Sequence, residues 1–269
     1  MDWTDNGIVL SARRHGESHA IASLLTRAHG RHAGLVHGGW GRRGRAALQP
    51  GNAVHARWRA RIPEHLGTFT LEPILTSAAR LFHDPLRLAA LASACALADA
   101  ALSEREPHPA THDALAELLA ALQRDAPGGA GRPNEKPGAE DAAGSMGFGA
   151  CAPGWPETYV RWEVRLLADL GFGLDLKSCA QTGTDTDLAF VSPRTGRAVS
   201  EGAAGPWRDR LLPLPGFLAG TDGRNPAVEA IAQGLALTAH FLDRHVFAPH
   251  GRTMPAARRR LAALRLVGD

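Results

Sequence analysis

Positively charged side chains alternate with apolar ones near the end of the first sixty residues. Residues 54–61 place small apolar or aromatic side chains on one side, and the other side carries His55, Arg57, Arg59 and Arg61. Successive side chains of a strand point to opposite faces, so the pattern predicts a half-buried strand with a cationic outer face. A row of guanidinium groups can bind a polyanion, although a charged strand face that is merely solvated remains the alternative.

A Gly-rich segment, residues 38–47, lies just before this strand and adds three arginines, Arg42, Arg43 and Arg45. We predict a flexible basic loop that leads into the basic strand. Arg13 and Arg14, at the first predicted turn, extend the basic surface in this interpretation, although solvated arginines are common in turns.

The positive charge is concentrated near the N-terminus. The whole chain of 269 residues has a formal net charge of only +3, but residues 1–80 hold 11 arginines against five acidic residues, a net +6, which leaves −3 for the remainder. This asymmetry predicts an anionic partner for the N-terminal part.

The elements that must position these residues fall into two kinds. Five short apolar runs separated by Gly-containing turns predict strands at residues 8–12, 19–28, 31–37, 54–61 and 66–71. Five strands in so short a stretch favour a small closed barrel of the oligonucleotide-binding (OB) type, with an SH3-like barrel as the second candidate. Helical periodicity then predicts helices at residues 86–102, 111–123, 157–170, 226–247 and 255–266. Asp84 followed by Pro85 predicts the N-cap and first position of the first of these helices.

The predicted fold class is therefore α+β. A barrel domain spans residues 1–78, and a mostly helical domain spans residues 79–269. Residues 127–156 are rich in Gly, Pro and Ala, which predicts a disordered insertion. Residues 174–203 have the irregular pattern of a small β-finger. Trp58 lies on the apolar side of the basic strand and is predicted to be in the core.

Several classes of protein are disfavoured. Gly39 and Gly44 bound a G-x-G-x-x-G match, but only residues 45–49 separate it from Pro50-Gly51, too few for the helix of a dinucleotide site. No ATP-binding P-loop motif occurs, and we expect no enzymatic activity and no cofactor. Without a recognisable signal peptide or a membrane-length apolar run, we expect a cytoplasmic protein with no membrane partner.

The histidines gather in the predicted barrel: His15, His19, His29, His32, His37 and His55. Scattered surface positions are the favoured interpretation. The alternative is that they add charge to the binding face at mildly acidic pH.

Two long stretches of this sequence resemble the RecO family of bacterial DNA-repair and recombination-mediator proteins. The first is GIVLSARRHGESHAIASLLTRAHGRHAGLVHGG, followed by LQPGNAVHARWRAR and LGTFTLEP. The second is ETYVRWEVRLLADLGFGLDLKSC, which is similar to the family's helix leading into its finger. The resemblance covers nearly the whole chain except the 127–156 insertion.

This resemblance implies an OB-fold domain and a helical domain that bind single- and double-stranded DNA and anneal strands coated by single-stranded DNA-binding protein (SSB). It implies RecR and the SSB C-terminal tail as partners, RecA indirectly, and a nucleoid-associated location. The six basic-loop and basic-strand arginines would then contact phosphates, and Trp40 becomes a candidate for base stacking, with packing beneath the loop as the alternative. Arg161 and Arg165 are candidates for contacting the SSB tail.

The finger departs from the family pattern. Many RecO proteins hold zinc there with two C-x-x-C pairs, but of these positions only Cys179 is a cysteine, with Thr182, Ser200 and Ala203 near the others. A structural zinc site needs four suitable ligands, so we expect no zinc. An RNA-binding or ribosome-associated OB protein remains the alternative function, since its barrel would have the same pattern.

Overall fold

The N-terminal part of the chain is a closed five-stranded barrel with the strand order β1-β2-β3-β5-β4. The computed structural model describes residues 1–62, 64–124, 154–221 and 227–263. The barrel strands are β1 (Asp2–His15), β2 (His19–Thr26), β3 (Gly30–Val36), β4 (Ala53–Arg59) and β5 (Thr68–Leu75). Only β3 and β5 pair in parallel; the other neighbours are antiparallel. The predicted α+β class with an OB-like barrel is confirmed.

The basic strand alternates as predicted, and its apolar side fills the barrel. Trp58 is 2% exposed, so its predicted place in the core is confirmed. Its indole Nε1 donates a hydrogen bond to the Leu66 carbonyl at 3.1 Å. Gly67 passes this ring with φ +67°, and a Cβ there would lie 2.3 Å from Trp58 Nε1. Glycine at 67 therefore lets the loop close over the indole.

Three predictions for the barrel were wrong in detail. First, Arg13 and Arg14 are paired with β2 at the end of a longer β1, and the turn follows them. Strand pairing on both sides of β1 extends it through polar residues that carry no apolar signal. Second, β4 ends at Arg59, so Arg61 lies beyond it. Third, the predicted flexible loop contains a short helix, α1 (Arg42–Ala47). Leu48 after it is 4% exposed and packs with Ala20 and Ala22 of β2, which anchors the helix.

Helices form most of the remaining core. They are α2 (Ser77–Arg80), α3 (Pro85–Ala101), α4 (Pro109–Gln123), α5 (Trp155–Asp169), α6 (Glu201–Ala204), α7 (Gly216–Ala219), α8 (Val228–Phe241) and α9 (Ala256–Ala263). Asp84 caps α3, as predicted, by accepting a hydrogen bond from the Arg87 amide at 3.0 Å. The predicted helix 226–247 ends as α8 at Phe241 and continues as a π-helical turn, Leu242–Phe247. No helix among the described residues is long and apolar enough to cross a membrane.

The described residues test the predicted insertion and the predicted domain division only in part. Residues 127–153 lie outside the described residues. Trp155 and Pro156 belong to α5, so the predicted end of the insertion at 156 was wrong. Proline suits a first helical turn because its missing amide donor is not needed there. The predicted division at residue 78 stays a prediction, and α2 spans that point.

The barrel and the helices share one apolar core. Ile8, Leu10 and Leu25 project from the barrel into the cluster that contains the buried residues of α3, α4 and α5. Asp99 of α3 reinforces this contact, because its carboxylate accepts hydrogen bonds from Ser11 at 2.8 Å and Ser23 at 2.6 Å. One side of the barrel is therefore covered by helices.

The finger is a three-stranded sheet of β6 (Leu188–Val191), β7 (Ala198–Ser200) and β8 (Leu212–Pro213), so it continues beyond the predicted end at 203. Cys179 is buried beside Ser200, whose amide and hydroxyl both donate to its sulfur, at 3.3 and 3.4 Å. Burial raises the pKa of the Cys179 thiol, but hydrogen bonds from Ser200 and Thr182 outweigh this and bring the pKa to about 6.

These residues do not fit a zinc ion. One thiol with hydroxyl and methyl neighbours lacks the ligands of a closed tetrahedral site. The described residues hold no group of three or more His, Cys, Asp or Glu side chains suited to a metal. The expectation of a finger without zinc stays a prediction.

A buried ion pair joins three helices. Glu163 of α5 and Arg258 of α9 are both fully buried, with Arg258 Nη2 at 2.9 Å from Glu163 Oε2. Arg258 Nη2 also donates to the Leu235 carbonyl of α8 at 2.8 Å, and Thr238 of α8 donates to Glu163. Burial lowers the pKa of Arg258, but the Glu163 carboxylate more than compensates and raises it above the ordinary value. Arg258 therefore stays charged in the core.

We expect Arg258→Met to lower the free energy of unfolding by about 3–5 kcal/mol, because it leaves the Glu163 carboxylate buried without its partner. Urea denaturation measures this change. Arg259→Met is the matched control, since Arg259 is exposed on the same helix and its loss should cost less than about 0.5 kcal/mol. Equal effects of the two substitutions would contradict the assigned role.

His32 lies inside the barrel, which contradicts its predicted surface position. It is 5% exposed, and neither ring nitrogen has a hydrogen-bond partner in the described part of the chain. Its ring meets Trp58 edge to face, with centroids 4.7 Å apart. Desolvation, helped by the charge of Arg105, lowers the pKa of His32 to about 4. The histidine is therefore neutral at physiological pH.

Because the folded-state pKa of His32 lies below the unfolded value of about 6.5, its neutral form contributes stability that is complete above pH 6.5 and is lost as pH falls towards 4. The loss is up to about 3 kcal/mol at 1.36 kcal/mol per pKa unit. We expect His32→Leu to flatten the stability curve between pH 6.5 and 4, as measured by denaturant unfolding at several pH values. If the wild-type protein and His32→Leu lose the same free energy of unfolding between pH 7 and pH 4.5, this would argue against a buried neutral histidine.

Candidate nucleic-acid interface

The outer face of β4 presents cations in a row. His55, Arg57 and Arg59 are exposed at alternate positions, and Arg61 is exposed two residues beyond the strand end. Hydroxyl groups flank the middle of the row: Arg57 is paired across the sheet with Thr4 on one side and Thr70 on the other. The surface therefore offers guanidinium groups and neutral hydrogen-bonding groups side by side.

Acidic neighbours reduce this charge only in part. Arg57 Nη2 lies 3.3 Å from Asp2 Oδ2, and both side chains are more than half exposed. Such an exposed pair contributes about 0–1 kcal/mol, so it can open when a stronger anion approaches. Arg59 and Arg61 have no ion-pair partner among the described residues.

A second group of cations surrounds α1. Arg42, Arg43 and Arg45 are exposed on that helix. Trp40, just before it, is half-buried and packs against the cluster of Ala20, Ala22 and Leu48. The Arg45 guanidinium lies 5.3 Å from the Trp40 ring centroid. The proposed base-stacking role of Trp40 stays a prediction.

The first hairpin joins this second group. The Trp40 amide donates to the Ser18 carbonyl, in the turn between β1 and β2, at 2.9 Å. Arg13 and Arg14 are exposed on the last residues of β1 beside that turn. Arg14 donates to the Gly16 and Glu17 carbonyls and so also holds the turn.

The predicted site residues therefore form two groups instead of one. Trp40 and the arginines at 13, 14, 42, 43 and 45 lie at one end of the barrel. Arg57, Arg59 and Arg61 lie towards the other end, because α1 precedes the start of β4, whereas Arg57 and Arg59 belong to its last residues and Arg61 follows it. Six residue steps of a strand separate its ends by about 20 Å.

A separate groove of about 500 Å³ lies along α4 and α5. The half-buried Val164, Leu176 and Leu218 supply its apolar surface over the buried Trp162, and its charged lining consists of the acidic Glu117 and the cations Arg161, Arg165 and Lys177. Arg161 is already paired with Glu157 at 2.8 Å, so Arg165 and Lys177 are the cations of the groove that are more available to a ligand. Lys177 was missed by the sequence analysis because it lies 12 residues from Arg165 and on no shared periodicity.

Comparisons with known proteins agree along the chain. The family model described as "Recombination protein O N terminal" matches residues 1–76, and the model "Recombination protein O C terminal" matches residues 82–131 and 149–254. The unmatched residues 132–148 lie within the predicted insertion.

Curated relatives match over nearly their full lengths. A protein of Rhodospirillum centenum named "DNA repair protein RecO" is 56% identical over 97% of this chain and 93% of its own. Proteins with the same name from Rhodospirillum rubrum and Cereibacter sphaeroides are 48% and 49% identical, covering 97% and 98% of this chain and 94% and 98% of their own. With both halves matched by family models and relatives of this similarity, the chain belongs to the RecO family of DNA repair proteins.

Proposed function

We propose that this protein is a non-enzymatic mediator that binds single- and double-stranded DNA and anneals complementary strands. The observation that carries the proposal is the row of arginines on the open outer face of the barrel, at Arg57, Arg59 and Arg61. Phosphates neutralised by these side chains release their counterions, which favours binding without regard to base sequence.

Annealing requires no covalent chemistry from such a surface. Two complementary strands repel each other through their phosphates, and cations that screen one strand lower the barrier to approach of the other. The hydroxyl groups of Thr4 and Thr70 beside Arg57 can hydrogen-bond to phosphate or sugar oxygens. The surface thus orients a strand through its backbone and leaves its bases free to pair.

The α1 end of the barrel supports the same role. Arg42, Arg43 and Arg45 continue the cationic surface, and a partly exposed face of Trp40 would stack on a base. A strand running along β4 would contact both ends of the barrel.

The α4–α5 groove is our proposed docking place for the SSB tail. An acidic tail with an apolar end requires apolar surface next to cations, which Leu176 and Leu218 together with Arg165 and Lys177 provide. Binding there would bring the barrel to SSB-coated DNA. We further propose that the protein acts with RecR to assist RecA loading, in the cytoplasm at the nucleoid.

Replacing Arg57, Arg59 and Arg61 together by Ala should weaken binding of single-stranded DNA similarly for all sequences. The slope of log affinity against log salt should flatten by about 0.7 for each phosphate that is no longer neutralised. Fluorescence anisotropy at several salt concentrations measures both effects. The triple variant at Arg244, Arg259 and Arg260 is the matched control, because it removes the same charge from exposed positions on the helical part. Identical salt slopes for the two variants would refute the assignment of the β4 row.

The wild-type protein should accelerate annealing of complementary oligonucleotides coated with SSB, as measured by energy transfer between labelled strands. The variant Arg165→Glu with Lys177→Glu should lose this acceleration on SSB-coated strands and retain it on bare strands, since only the former requires the tail groove. Stronger binding of RNA than of DNA, with no annealing of coated strands, would instead favour the RNA-binding alternative.

A further inference from the structure

The finger carries a groove that the proposed function does not use. It has a volume of about 510 Å³ and lies between the β6–β7 hairpin and the 3₁₀ turn Gly205–Arg210 that follows α6. Val199, Ala203 and Leu211 supply apolar lining, while Arg194 from the hairpin and Trp207 and Arg210 from the turn also line it. Apolar surface, an indole and two guanidinium groups thus meet in one concave place.

Trp207 is exposed, whereas the other tryptophans of this protein are buried or half-buried. It is 54% exposed, whereas Trp58 and Trp162 are each 2% exposed. Its only described ring contact is with Arg210, whose guanidinium lies 5.3 Å from the ring centroid. An indole left in water forgoes the apolar contacts that stabilise it elsewhere in the fold, so Trp207 is available for an aromatic ligand.

The charges around the groove divide into paired and unpaired arginines. Arg208 pairs with Glu201, and Arg197 pairs with Asp175 at 3.3 Å. Arg194 and Arg210, the two that line the groove, have no carboxylate partner in the described ranges. Asp209, between Arg208 and Arg210 in sequence, does not line the groove. The groove therefore presents uncompensated positive charge beside its exposed indole.

We propose that this groove is a second binding site for single-stranded DNA, in which a base stacks on Trp207 and the flanking phosphates contact Arg194 and Arg210. The inference rests on the proposed DNA-binding function and adds a site outside the barrel. Stacking on an aromatic side chain beside a cationic groove is the general way in which proteins bind single strands without sequence preference. With strands held at the barrel and at the finger, one molecule would hold the two strands that annealing brings together.

The exposure of Trp207 favours a nucleic-acid strand over an acidic peptide. An acidic tail with an apolar end needs a pocket that encloses its last side chain, as hot-spot residues are enclosed at protein interfaces. A groove whose main aromatic residue is more than half exposed does not enclose such a group, but it leaves a flat ring accessible to a base. Guanidinium groups from two different segments suit a ligand with repeated negative charges.

The test uses the full-length protein and a short thymidine oligonucleotide that contains 5-iododeoxyuridine, which photo-cross-links to stacked aromatic side chains. We expect a cross-link at Trp207, identified by peptide mass spectrometry. In the background of the Arg57, Arg59 and Arg61 triple variant, Trp207→Ala should weaken the remaining binding by about fivefold or more, the fold-change for a stacking loss of at least about 1 kcal/mol. Trp207→Phe should retain most of it, because a phenyl ring still stacks.

Phe82→Ala is the matched control, since Phe82 is an exposed aromatic residue, 73% exposed, on the chain between α2 and α3. Should Trp207→Ala fail to fold, Arg194→Gln combined with Arg210→Gln tests the same groove and should weaken binding to a similar degree. Two short oligonucleotides should bind per wild-type protein, and one per groove variant.

The outcomes separate this inference from the proposed function. If the wild-type protein binds no single-stranded DNA, the proposed function fails and the second site fails with it. If the wild type binds DNA but the groove variants match Phe82→Ala in affinity and stoichiometry, only the second site is refuted. Binding of an acidic peptide in the groove, with no DNA cross-link at Trp207, would also refute it.

Discussion

The paired charges of Glu163 and Arg258 constrain how the helical part of this protein can pack. Both side chains are fully buried, so each charge depends on the other and on the hydrogen bonds from Thr238 and to Leu235. Moving α5, α8 or α9 apart would expose one charge to apolar surroundings, which is costly. The pair therefore favours the observed packing of α5, α8 and α9 over other arrangements of these helices. The pair thus links α5, which lines the α4–α5 groove, to α8, which contacts β8 of the finger.

The barrel uses its two sides differently. Ile8, Leu10 and Leu25 bury one side against the helices, and the carboxylate of Asp99 ties Ser11 and Ser23 to the same contact. The β4 side remains open, with His55, Arg57 and Arg59 exposed. A closed barrel has no free strand edge, so its open side can carry charge without exposing unpaired backbone groups. The anchored side keeps the charged side in a fixed position relative to the α4–α5 groove.

Much of this organisation was predictable from the sequence. Strict alternation at residues 54–61 correctly placed Trp58 inside and the arginines outside, because period two is specific to strands. The Asp84 cap correctly marked the start of α3. The sequence analysis failed where tertiary contacts override local signals. Leu48 anchors α1, strand pairing extends β1 through Arg13 and Arg14, and the barrel interior accepts His32.

The candidate site was less predictable than the fold. Residue types identified the arginines, but their separation into two groups depends on where α1 sits relative to β4, which no local pattern encodes. Trp207 and Arg194 come from segments 13 residues apart and meet only through the hairpin. Arg258 is the first of three consecutive arginines in the sequence, and only its contact with Glu163 on another helix distinguishes it.

The hydrogen bonds between Ser200 and Cys179 change how the finger responds to mutation. A four-ligand metal centre is cooperative: removing any one ligand endangers the whole element. The described contacts of this finger are of another kind: the amide and the hydroxyl of Ser200 donate to Cys179, and Leu188, Val191 and Val199 are buried in the same apolar cluster as that cysteine. We therefore expect single substitutions beside the Trp207 groove to lower the stability of the finger in graded steps.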